Sequence, residues 1–401
     1  MNDAASVQLR PAQEDSPKAA DLKYFYKTLP ASHKNFFAHT TSKEFCKACL
    51  AALERADDLT DVEFYFTLCE LAAMAGDSHT MVGLTQDVAA SMHALPCQIA
   101  MVDGKWTITV IESPLSGLLG AEVLSINGIP MAEIVEKASR LYGHDNETWL
   151  EYMIGRQLNI IELYMHLGIA KNQTEEVRLD VMPPGASTTR ELALQPVSIE
   201  AFYRLDLSTL VTAQPETGRA NVPYRTLVLR DGDVLFIQYN ACMSWDQLPI
   251  DKFTTKTLAL IEDMQPRQVI VDLRYNGGGN SGLFEPMIDG LAGLQKKQGF
   301  PIDVLIGAET FSSALINAVQ LKQQTDCRLV GSPTGGSVNH YGEIKSFTLP
   351  NSGIPVSYST KYFVMDASYP AGSLQPDVLV RRSVEDLKNG IDTEVQAILQ
   401  H

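Results

Sequence analysis

No run of apolar residues in this chain approaches the roughly 20 that cross a bilayer as a helix. The opening stretch, MNDAASVQLRPAQEDSPKAADLK, lacks the apolar core of a secretory signal. The expectation is a cytoplasmic protein, secreted only if a signal has been removed. Basic residues are outnumbered: Lys and Arg total 32 against 48 Asp and Glu, for a net charge of -16 over 401 residues. A surface this acidic repels phosphate backbones and anionic lipid, which argues against nucleic-acid binding and membrane insertion. Its ordinary consequence is solubility. The six cysteines (Cys46, Cys49, Cys69, Cys97, Cys242 and Cys327) are scattered, with no spacing that suggests a disulfide framework. Cys46 and Cys49 form a CxxC, but no second CxxC or paired histidine follows, so the expectation is core packing and no metal. Internal repeats and low-complexity tracts are also missing.

What is present falls into four stretches. Residues 1–20 read as a polar tail. Residues 21–85 carry apolar residues at helical spacing in DLKYFYKTLP, TSKEFCKACLAALERA and DVEFYFTLCELAAMAG. Thr41 or Ser42 is placed to cap the second helix, with Glu44 in its first turn, and Gly76 to close the third. Residues 86–200 change texture: short alternating runs such as KWTITVIE and AEVLSING are broken by Gly, Pro and Asn-Gly turns, with helical additions. Residues 201–401 alternate strand and helix from DVLFIQYN through CRLVG, the pattern of a mainly parallel sheet covered on both faces.

Four segments carry chemistry. In VIVDLRYNGGGNSG a buried strand opens into three glycines, whose uncovered amides can hold developing negative charge. The loop also fits a plain turn or a phosphate cradle, though it lacks the Lys-Ser/Thr of a P-loop and the spacing of GxGxxG. In VLIGAETFSSALINAV a strand delivers Ser312 and Ser313 to a helix start, where amides are free and the helix dipole is positive. Serine is equally a common helix cap, and two adjacent serines leave the choice of nucleophile open. In LAAMAGDSHTMVG, Ser78 and His79 follow an apolar helix; the alternatives are a general base or a surface turn with a capping Asp. The stretch from LVGSPTGG to LQPDVLV holds a rival base, His340, and a set of polar residues read as loop positions: Glu343, Asn351, Ser352, Ser359, Thr360, Asp366 and Asp377.

Together and in order, these segments resemble the tail-specific (C-terminal processing) serine peptidases, a family that includes the tricorn core protease. DLRYNGGGN resembles its DLRxNxGG loop and TFSSALINA its nucleophile segment; LVGSPTGG, YGE, LPNSG, YSTKYF and LQPDV resemble the block that follows. AEVLSINGIPMAEI resembles the carboxylate-binding loop of an upstream PDZ-like module. The resemblance implies an α/β, crotonase-like core with a mainly parallel sheet, an N-terminal helical segment and a PDZ-like β-rich module. It implies a serine-type endopeptidase acting on extended or unfolded peptides, with no metal or cofactor and with homo-oligomerisation left open. It places the nucleophile at Ser312 and the oxyanion donors at Gly278 and Ser313, with Gly279 as a secondary candidate. Many members carry a Ser-Lys dyad, but the corresponding loop here reads GSPTGGSVN, with Ser337 at the lysine position. The tricorn-like branch takes its base from an N-terminal segment, which GDSHT matches. That implies His79 as base with Ser78 beside it, and Asp366 as the late acid that orients it. The alternatives are an inactive ligand- or peptide-binding protein on the same fold, and a crotonase-like acyl-CoA enzyme, against which TFSSA and the YGE…LPNSG block argue.

Overall fold

The computed structural model describes residues 15–400. Most of the expected polar tail, residues 1–14, lies outside the described residues, and the first helix already begins at Pro17. Three helices open the chain: α1 (Pro17–Ser32), α2 (Ser42–Glu54) and α3 (Asp61–Ala73). Their starts are encoded locally. Ser16 accepts from the Ala19 amide with Pro17 in the first turn, and Thr41 and Thr60 each form a reciprocal capping box with Glu44 and Glu63. Among the described residues no helix is long and apolar enough to cross a membrane.

An antiparallel sheet follows, built from strands between Cys97 and Thr209. It packs with the helices Met131–Ser139 and Glu147–Gly155 and with α1–α3 in one continuous hydrophobic core. The second core belongs to a six-stranded mixed sheet: β1 (Tyr224–Leu229), β2 (Val234–Tyr239), β3 (Gln268–Asp272), β4 (Ile302–Ile306), β5 (Cys327–Gly331) and β6 (Val378–Leu379), in that spatial order. β1 and β2 run antiparallel and the other pairings are parallel. β2, β3 and β4 are buried almost throughout, as unbroken apolar runs covered on both faces should be. Their crossovers are α4 (Ile250–Met264), α5 (Glu285–Gln298) and α6 (Ser313–Gln324). α7 (Thr393–Leu399) packs on the far face, below Phe236, Ile270 and Leu305.

The largest departure from the sequence reading is a long hairpin, Asn339–Thr348 against Pro355–Val364. Glu343, Ser359 and Thr360, taken above as loop residues, lie in its strands. Dense Gly, Pro and Ser punctuation hides the pattern, because here it marks the ends and the tip rather than the whole segment. The two-residue strand Met81–Val82 adds to the hairpin, pairing Met81 with Ser357 and Val82 with Val356. At the tip, buried Asp21 of α1 accepts from the Asn351 and Ser352 amides at 2.9 and 2.8 Å.

Candidate active site

The site forms where β3 and β4 end. Past β3, Arg274 turns back onto Asp272 and reaches Asp392 and Glu394 at the start of α7, with N–O distances of 2.7–3.2 Å. Asn276 is the pivot of the glycine loop. Its Nδ2 donates to the Tyr239 carbonyl at 2.9 Å, its Oδ1 accepts the Gly278 amide at 2.9 Å, and its carbonyl accepts the Phe311 amide at 3.1 Å. The turn out of β4 is fixed by Thr310, whose hydroxyl donates to the Leu273 carbonyl at 2.8 Å and accepts the Gly307 amide at 3.0 Å.

This framework holds Ser312 at φ 52° and ψ -123°, at the N-terminus of α6. For a residue with a Cβ that conformation costs about 1–3 kcal/mol and persists only where neighbours enforce it. Ser312 is half-buried and its side chain makes no capping bond, so the simple cap reading does not hold. Ser313 is turned away: its hydroxyl donates to the Gly279 carbonyl at 2.7 Å. As the first residue of α6, Ser313 has an amide with no intrahelical acceptor. Gly278, at φ 109°, lies so close that a Cβ there would sit 2.7 Å from the Ser312 Cβ and 3.0 Å from the Ser313 nitrogen. Its amide, expected to be free, is taken by Asn276. Gly278 also supplies empty space beside Ser312, and the adjacent Gly279 directs its carbonyl toward Ser313.

His79 arrives from the other core. Its ring lies against Phe311, the residue before Ser312, with centroids 4.4 Å apart and planes 24° apart; Trp149 stacks on Phe311 at 3.8 Å. The alternative of a surface turn does not hold: Asp77, Ser78, His79 and Thr80 are all buried. Neither ring nitrogen of His79 reaches hydrogen-bond geometry with a partner, although the Tyr341 main chain lies near enough to favour the charged ring. Burial pushes the imidazole down to about 4 against the opposing pull of Asp77. His340 stacks on His79 at 5.6 Å, and its Nδ1 is bonded to the Ser337 carbonyl at 2.8 Å, which commits that nitrogen elsewhere. Burial lowers the pKa of His340 too. Ser337, in the loop where a lysine was sought, accepts from Asn146 Nδ2 at 2.9 Å.

Two residues depart further from expectation. Asp366 does not meet His79: its carboxylate closes its own turn on the Ser368 amide and hydroxyl at 2.9 and 2.6 Å. Among the described residues the carboxylate nearest the His79 ring in an ion-pair contact is Asp77, with Oδ1 3.8 Å from Nδ1. Asp77 lies only two residues from His79 in the chain, not far downstream. Ser78 exchanges hydrogen bonds with Asp145, amide to Oδ1 at 3.2 Å and hydroxyl from the Asp145 amide at 3.0 Å. Neither Asp145 nor His33, which bonds Asp77, carries a local motif that would have found it. Among the described residues no cluster of His, Cys, Asp and Glu is arranged to hold a metal ion.

No family model matches this chain, and no curated protein matches it. Solved structures do. Mature CPAF superposes with a TM-score of 0.63 at 15% identity, covering 95% of this chain and 96% of that one. Mature CPAF complexed with lactacystin gives 0.63 at 14%, covering 96% and 97%, and a CPAF mutant gives 0.64 at 15%, covering 96% of each. The chain has the fold of mature CPAF. The likeness covers nearly the whole length of the mixed α/β chain.

Proposed function

We propose that the protein is a serine-type endopeptidase acting on extended or unfolded peptides. The observation that carries this reading is Ser312, held in a left-handed conformation at a helix tip against a Cβ-free loop, with the buried imidazole of His79 packed on the ring of the preceding residue, Phe311, and no hydrogen bond yet made between imidazole and hydroxyl. The ring of His79 takes the Ser312 proton as the oxygen attacks the peptide carbonyl. The oxyanion is held by the free amide of Ser313 and by the glycine loop, for which we assign Gly279 rather than Gly278. The imidazolium then protonates the leaving amine, and water clears the acyl-enzyme. Burial lowers the pKa of the base; the negative charge developing on substrate, with the anion of Asp77 already in place, raises it during the reaction. No residue of this scheme requires a metal or cofactor. The crotonase-like description of the β1–β6 core and the PDZ-like description of the upstream sheet belong to this same proposal, as do the chain divisions at about 20, 85 and 200 and a cytoplasmic location.

Lactacystin, which CPAF binds in one of the matched structures, is proposed as a ligand of this site. The test is labelling of Ser312 by a fluorophosphonate probe, its protection by lactacystin, and hydrolysis of an unstructured peptide. Ser312→Ala and His79→Ala should each abolish turnover. Full activity in Ser312→Ala would end the reading, and an unreactive Ser312 would favour a binding protein on the same fold.

A further inference from the structure

Asp77 is held with unusual completeness. Its Oδ1 accepts the His79 main-chain amide at 2.8 Å and stands 3.8 Å from the His79 ring nitrogen Nδ1. Its Oδ2 accepts three side chains: Thr80 Oγ1 at 2.6 Å, Ser359 Oγ at 2.7 Å and His33 Nε2 at 3.0 Å. These donors come from three parts of the fold: the same turn, the hairpin, and the residue that caps the C-terminus of α1. The tautomer of His33 is set by its surroundings. Its Nδ1 accepts the Asn35 amide at 3.0 Å, so the ring proton sits on Nε2 and is donated to Asp77. His33 and Asp77 are both out of solvent contact.

We propose that Asp77 is the positioning acid of His79 and that His33 is the positioning residue that fixes the rotation of the Asp77 carboxylate. The proposal rests on the reading of Ser312 and His79 given above. Three donors occupy Oδ2, which leaves Oδ1 as the oxygen with spare acceptor capacity on the side of the ring. At 3.8 Å the Nδ1–Oδ1 contact is longer than a hydrogen bond. When the Ser312 proton passes to Nε2, the ring becomes a cation with its Nδ1–H facing a fixed anion, and a charge-assisted bond then forms. Asp77 takes no proton; the one gained by His79 leaves with the amine. The state of Asp77 supports this role: burial alone would raise its pKa, but the His33 bond, the His79 charge and the Thr80 and Ser359 hydroxyls together bring it to about 2. The other groups facing His79 are His340 and the main chain of Tyr341 on the hairpin and, through Ser78, Asp145. The family resemblance points instead to a late acid, Asp366, whose carboxylate is engaged by Ser368, whereas Asp77 is local.

The experiment uses the full chain with Asp77→Asn, His33→Leu and His33→Gln. Turnover of an unstructured peptide is followed against pH, together with the 15N spectrum of labelled imidazoles. Asp77→Asn should lower kcat by about 10²- to 10⁴-fold with KM nearly unchanged, as loss of an orienting carboxylate does. His33→Leu should lower kcat by about 10-fold or more, and His33→Gln, which keeps an N–H donor, should recover most of it. In the wild type the proton of neutral His79 should reside on Nδ1, and Asp77→Asn should remove that preference. A folded Asp77→Asn protein with unchanged kcat and unchanged His79 tautomer overturns the proposal. If Asp77→Asn does not fold, equal rates in His33→Leu and His33→Gln at equal thermal stability overturn it instead. Retained turnover in Ser312→Ala would refute the peptidase reading separately, and the tautomer comparison would still decide the role of Asp77.

Discussion

Asp145 offers a measurement of how dry the site is. Its Oδ1 accepts the Ser78 amide, but its Oδ2 has no partner and no contact with solvent. Burial and the neighbouring charge of Asp77 push its pKa from 3.8 up to about 7, against the lowering effect of the Ser78 bonds. Below about pH 4 the folded and unfolded chains both hold this proton. Between about pH 4 and 7 the unfolded chain releases it while the folded chain keeps it, so stability falls as pH rises. The full interval corresponds to about 4 kcal/mol at 1.36 kcal/mol per decade. The residue as a whole is only half-buried, so about 2 kcal/mol is the expected loss. Asp145→Asn keeps the shape and the Oδ1 acceptor, places an amide at the unpaired oxygen, and cannot titrate. Urea unfolding of both proteins from about pH 4 to 8 should show the variant gaining on the wild type by about 2 kcal/mol, with the change centred below pH 7. A stability difference that is flat across that range would refute the assignment of Asp145 as a carboxyl held neutral by its surroundings.

Other perturbations test the remaining parts. Gly278→Ala would put a Cβ 2.7 Å from that of Ser312 in a backbone at φ 109°, so fluorophosphonate labelling of Ser312 should slow by about 100-fold or more. Arg274→Met would leave Asp272 and Asp392 buried without their cation, Glu394 keeping Arg382, and should destabilise the chain by about 3–5 kcal/mol by urea unfolding. Thr41→Ala breaks a capping box on α2, remote from the site, and should cost about 1 kcal/mol of stability with peptide turnover unchanged.

The elements legible in the sequence are those whose pattern is local. The β2–α4–β3–α5–β4–α6–β5 succession was read from apolar runs of strand length alternating with amphipathic helices, and each of these elements is present. The caps at Thr41 and Gly76 were equally local: Gly76 takes φ 63° just past α3, where only a residue without Cβ fits against His39. The hairpin was missed because its strands are mostly half-exposed, with Gly342 and Glu343 interrupting the alternation, Glu343 at φ 58°. The positions of Ser312, the glycine loop and His79 were named from motif order. Their environment was not: that Asp77 is buried beneath His33 depends on α1 reaching the hairpin, a contact between residues hundreds of positions apart. Asp366 has the place in the chain that a late acid would take, yet an Asp two residues before a Ser in a turn prefers to close that turn.

The separation of the two cores bears on how such a site can be kept safe during folding. Ser312 and the glycine loop belong to the second core, and the hydrogen bonds of Asn276 and Thr310 that shape them are made within it. His79 belongs to the first core, and it is delivered by a two-residue strand pairing, Met81–Val82 with Val356–Ser357, which ties the N-terminal third of the chain to a hairpin formed near its C-terminal end. A folding chain with only one core formed therefore has either a hydroxyl without a base or a base without a hydroxyl. The stack of Trp149, Phe311, His79 and His340 closes only when both are docked, because Phe311 comes with the second core and lies between Trp149 and His79, which come with the first. On the proposed chemistry, nucleophilic reactivity at Ser312 should thus appear late in refolding, after most tertiary fluorescence change, and a probe that labelled Ser312 at the rate of early collapse would show that the imidazole is not required.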